Sequence, residues 1–162
     1  MLSFAETIAD AKKRAEADRD DLLKTFSFVP DEKLTWSPAE SARTPIWLVA
    51  HCGAAGQAFA TFLRGEVPAM PSDPAEIAEM IRNTGRDVTS REEAIRMVED
   101  ASRAIQAAFD TVTEDRMGSM SQTPFGPMPF TIWIQAATTH MSGHARQIDY
   151  LQTIWGDLQD HM

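Results

Sequence analysis

The chain has 162 residues, 43% apolar and 24% charged, with 15 Lys and Arg against 24 Asp and Glu, a net charge of −9. That balance fits one globular domain over residues 1–162, and its acidity opposes binding to nucleic-acid phosphates or to an anionic membrane surface. A single cysteine, Cys52, excludes an internal disulfide and any multi-thiolate metal cluster.

Residues 1–21 are studded with charge and lack the apolar run of a signal peptide, so a cytoplasmic location is expected. A first helix opens at Ser3 and Glu6, which have capping-box spacing. Its apolar face reads Phe4, Ile8, Ala11, Ala15, Leu22 and Phe26, with one lapse at Asp18, and Pro30 ends it. Leu34 and Trp36 are packing anchors in the connection that follows. Thr44-Pro45 opens the second helix, as N-cap and first-turn proline, and Gly65 stops it after Arg64. Thr44 to Leu63 is free of formal charge and long enough to span a bilayer. Its content of Ala, Gly, Thr, Gln and His reads instead as a buried core element.

Asp73-Pro74 opens a short extra helix that ends near Gly85. Ser90 and Glu93 form a second capping box, for a third long helix with a buried face of Ile95, Val98, Ala101, Ile105, Ala108 or Phe109, and Val112. Met117 to Met128, rich in Gly, Pro, Ser and Met, reads as a loop and includes Pro124. A last helix runs from near Pro129 to Gly156 and leaves a short acidic tail. No strand pattern competes. The expected fold is all-α, a four-helix bundle.

Three of the histidines lie in two uncharged stretches, Thr44 to Leu63 and Met117 to Ala145. His140 and His144, four apart, share one helical face and interrupt the stripe Trp133, Ala137, Ile148, Leu151 and Trp155. On the second helix His51 interrupts the stripe Trp47, Ala50, Ala54, Ala58 and Phe62. His161, next to the last residue, is expected to be solvated or frayed. A buried, unpaired polar ring costs about 1–3 kcal/mol. Hydrogen bonds within the core would satisfy one such ring. A shared divalent metal on His51, His140 and His144 satisfies three together and leaves coordination open for water or substrate. Cys52 points about 100° away from His51 around the helix and is expected to stay off the metal. The tetrapeptide Gly53-Ala54-Ala55-Gly56 suits either close helix packing or room for a ligand. Asp149 and Tyr150 turn away from the histidine face. Arg146 and Gln147 flank it as surface residues, and the three tryptophans on these helices read as packing.

Leu34-Thr35-Trp36 followed by Thr44-Pro45-Ile46-Trp47-Leu48-Val49-Ala50-His51 resembles the DinB-like superfamily of four-helix metalloproteins. So does the ending His140-Met141-Ser142-Gly143-His144-Ala145-Arg146-Gln147-Ile148, with Trp155-Gly156 beyond it. The loop Thr123-Pro124-Phe125-Gly126-Pro127-Met128 completes the likeness, which runs the length of the chain. The resemblance implies up-down-down-up wiring, a homodimer, and zinc, nickel or another divalent ion on His51, His140 and His144. It also implies a metal-dependent thiol-S-transferase or related thiol-dependent enzyme, acting on a small-molecule substrate with a low-molecular-weight thiol as cosubstrate. Bacillithiol S-transferases and mycothiol-dependent maleylpyruvate isomerases are its characterised types. A metal-dependent hydrolase on the same site and a non-catalytic ligand-binding or stress-related bundle are the alternatives. No general base is legible.

Overall fold

Capping chemistry sets the helix starts. In the computed structural model, which describes residues 2–123 and 125–161, α1 covers Phe4–Ser27 and opens on the complete Ser3–Glu6 capping box. Thr44 caps α2, Pro45–Leu63, by accepting the Trp47 N–H, and Gly65 leaves it with φ of +82°. Asp73 caps the short α3, Pro74–Asn83. Ser90 accepts the Glu93 N–H to begin α4, Arg91–Phe109, but its hydroxyl donates to Glu92, so only half of the expected box forms. The buried face of α4 contains both Ala108 and Phe109, and Ala94 rather than Ile95 lies deepest at its start. α6, Thr131–Ile154, is the last long helix.

Pairs of residues across the bundle give the helix directions. Asp18 meets Met141 and Ser142 while Thr25 meets Gln152, so α1 and α6 run parallel. Gly53 lies on Met97 and Gly56 on Ala101, so α2 and α4 run parallel as well. Lys12 pairs with Asp110 and Arg91 with the Phe26 carbonyl, which makes α1 and α4 antiparallel. Phe62 stacks on Trp133 and His51 neighbours His144, which does the same for α2 and α6. The order of directions is up, down, down, up, and α3 lies in the crossover between α2 and α4.

The core forms two clusters along the bundle. One gathers Leu22, Phe26, Val49, Cys52, Val98, Met141 and Ile148, and the other Ala15, Phe62, Leu63, Ile105, Phe109, Trp133 and Ala137. Between them on α1 and α6 fall the buried polar residues Asp18 and Thr138. Leu34, Trp36 and Trp155 pack against the first cluster, as their spacing predicts. α2 is long and apolar enough to cross a membrane, but most of it is covered by the rest of the bundle, as suits a core helix.

Two expectations fail. The 117–128 segment is not plain loop: a short α5, Glu114–Met117, precedes a hairpin of β1, Met120–Thr123, and β2, Gly126–Pro129, in antiparallel register. Strands of four residues with two prolines carry too little alternation to register as period two. Pro124, between them, lies outside the described residues. His161 is buried, only 3% exposed, rather than frayed. Gly156, with φ of +99°, turns the chain back. The His161 ring then stacks on Phe28 at 4.3 Å, lies 2.9 Å from an Asp157 oxygen, and its carbonyl accepts the Thr25 hydroxyl.

Candidate metal centre

His51 on α2 meets His140 and His144 on α6, and one ring nitrogen from each lies within 4.8 Å of the others. The ring centroids are 4.6–5.3 Å apart. Sequence spacing thus selects three side chains that the antiparallel α2–α6 contact brings together. Nδ1 of His51 and Nε2 of His140 are buried with no hydrogen-bond partner. Such orphaned nitrogens are costly unless something is bound. The third ring is oriented: Nδ1 of His144 lies 2.7 Å from the Gln147 side-chain oxygen, an acceptor, so Nδ1 carries the proton and Nε2 keeps its lone pair. Gln147 is therefore more than a surface residue.

Asp18 was the lapse in the apolar face of α1, and its position explains it. Its buried carboxylate accepts the backbone N–H groups of Met141 and Ser142, at 2.8 and 2.7 Å. Those two amides lie between His140 and His144, so α1 holds the histidine turn of α6 by its backbone. Sequence reading marked the lapse but gave no clue to its partner across the bundle.

Burial and like-charged neighbours keep all three rings neutral. Desolvation, then Arg43 and the other two imidazoles, hold His51 down to about 3. Burial followed by His144 and Arg43 holds His140 down to about 4. Burial lowers His144 too, partly offset by its bond to Gln147. Neutral imidazoles are the form that ligates a metal. Each folded-state pKa lies below the ordinary value of 6.5, so the unfolded chain takes up protons first as pH falls. The stability from these groups is therefore complete above about pH 6.5 and is lost as pH falls through the lowered values. The melting temperature of EDTA-treated protein should fall steadily from about pH 7 to pH 5, a window above most carboxylate titration. A flat profile there would contradict neutral, buried rings.

An apolar cavity of about 390 Å³ opens on His51 and His140. Ala54, Ala55, Phe59, Phe62 and Trp133 line it, together with Met80 and Ile81 of α3, Thr84 just past the end of α3, the 68–70 segment and Phe125. The hairpin thus reaches the mouth through Phe125. The small-residue run on α2 serves both purposes: Gly53 and Gly56 pack on α4, while Ala54 and Ala55 face the cavity. Trp133 does more than pack, since it lines the cavity with its indole N–H unpartnered. Cys52 is buried away from the cluster, and burial raises its thiol pKa, so it stays protonated at neutral pH. Tyr150 is exposed, away from the rings.

A model described as the DinB superfamily matches residues 14–148, from α1 through both histidines of α6. No curated protein matches closely enough to count as a relative. Among solved structures, that of the mycothiol-dependent maleylpyruvate isomerase is similar, with a TM-score of 0.58 at 18% identity, over 98% of this chain and 65% of that one. The chain therefore spans just under two thirds of that structure, and the likeness is one of fold. Taken with the family match over most of its length, the chain belongs to the DinB superfamily.

Proposed function

We propose that the protein is a divalent-metal enzyme of thiol chemistry, a thiol-S-transferase or a related thiol-dependent enzyme, with His51, His140 and His144 as metal ligands. The observation that carries this reading is the pair of unpartnered, buried histidine nitrogens beside an apolar cavity large enough for a small molecule. The donor set fits zinc or nickel, since imidazole suits both, and three protein ligands leave a position open. When bound, such an ion supplies a cationic seat that favours the thiolate form of a cosubstrate thiol.

The chain's own residues do the rest. Gln147 fixes the His144 tautomer, and Asp18 places a negative charge near His144 in support of a cation. Phe59, Phe62 and Trp133 exclude water, and the unpartnered Trp133 N–H would donate to a polar substrate atom that reached it. A mycothiol-dependent isomerase with a similar fold supports the thiol assignment. A cytoplasmic homodimer is part of the same proposal.

The test is thiol consumption by zinc- or nickel-loaded protein with chlorodinitrobenzene, using mycothiol, bacillithiol and glutathione in turn. The proposal expects turnover with at least one thiol and none in the His144→Ala variant. Ester hydrolysis without thiol, absent any thiol consumption, would replace it with the hydrolase reading.

A further inference from the structure

A second cavity, a groove of about 650 Å³, shares no lining residue with the apolar cavity. Gln147 lines it while holding His144, so the groove adjoins the third ligand. Its walls are mostly apolar: Pro38, Ala42, Leu48, Leu151 and Ile154. Two arginines also line it, Arg43 just before the Thr44 cap of α2 and Arg146 on α6.

The two arginines are placed differently. Arg43 is half-buried, packs over Trp47 and donates to the carbonyls of Ile81 and Arg82 at the end of α3, so it is held in position. Its field reaches all three histidines. Arg146 makes no ion pair or hydrogen bond among the described residues, and Arg43 has no carboxylate partner among them. In a chain with net charge −9, two arginines without acidic partners among the described residues line one mostly apolar groove that Gln147 shares with His144.

We infer that this groove binds an amphipathic organic anion, a carboxylate on an apolar body, with Arg43 and Arg146 on the carboxylate and Leu48, Leu151 and Ile154 against the body. Guanidinium groups match a carboxylate in geometry as well as charge. The apolar walls add affinity only for a ligand that covers them, which discriminates against a small inorganic anion. Placing such a ligand as the electrophilic substrate of the metal site rests on the proposed function. The binding itself does not.

Calorimetric titration of the 162-residue protein tests it, with 4-phenylbutyrate, its methyl ester and inorganic phosphate as probes. Saturable binding of 4-phenylbutyrate is expected, about tenfold weaker for the ester and for Arg146→Gln, since each loses a charge-assisted bond. Phosphate should not displace it. Arg146 is exposed on α6, so its variant should keep the fold. Arg43→Gln should weaken binding too, checked for native helicity by circular dichroism. Equal binding of acid and ester, unchanged affinity in Arg146→Gln, or displacement by phosphate at like concentration would each overturn the inference. The thiol assay separates the two claims. Turnover with unchanged Arg146→Gln binding removes only the groove, and the expected binding pattern without turnover removes only the proposed function.

Discussion

Replacing Asp18 by Ala should destabilise the protein by about 3 kcal/mol, because hydrogen bonds to a charged group contribute about 1.5–3 kcal/mol each and this one makes two. The side chain is 4% exposed and its two acceptors hold successive amides in the middle of α6. Those amides sit between His140 and His144, so the loss should reach the candidate site. Metal affinity should drop by about tenfold, the lower end of what supporting residues around a metal site contribute. Asp18→Asn is the sharper variant. It keeps the size and one acceptor but turns an amide N–H toward a backbone N–H, so it should also destabilise. Denaturant unfolding and metal titration read the two effects, and an Asp18→Asn protein as stable as the parent would contradict this role.

Gly85→Ala should do comparable damage by another route. Gly85 has φ of +83°, and a Cβ there would lie 2.6 Å from the His51 backbone nitrogen and 2.8 Å from the Ala50 carbonyl carbon. Helix backbone cannot yield as a flexible side chain does, so either α2 or the end of α3 must move. Left-handed φ costs about 1–2 kcal/mol for a residue with a side chain, and overpacking adds about 1–3 kcal/mol. The melting temperature should fall by about 10 °C, with weaker metal uptake as His51 is displaced. Gly156→Ala is the control, since it shares a positive φ but its Cβ would meet nothing within 4 Å. It should lose only the backbone cost. Equal losses in the two variants would show that the contact with His51 contributes nothing.

Most of the helical frame was legible because its signals are local. Ser3, Thr44, Asp73 and Ser90 cap helices that begin within one residue of where the sequence places them. Gly65, Gly85 and Gly156 all adopt the positive φ of helix ends. The histidine cluster was legible because two rings four apart on a helix share a face, and an apolar stripe around a third marks where the bundle buries it. What escaped depends on contacts between distant parts of the chain. Asp18 reads as a flaw in a pattern until α6 is beside it. Gln147 and Arg146 look alike in sequence and both line the groove, yet only Gln147 holds His144. His161 seems a frayed end because nothing local shows that Phe28 and Thr25 lie within reach.

Elemental analysis of tag-free protein, after reloading with zinc or nickel, is the decisive measurement on the three-histidine centre. About one divalent ion per chain is expected, as for a single mononuclear site, and little or none in His51→Ala, His140→Ala and His144→Ala proteins of unchanged helicity. Wild-type protein that takes up no ion, or variants that retain the full complement, would contradict it.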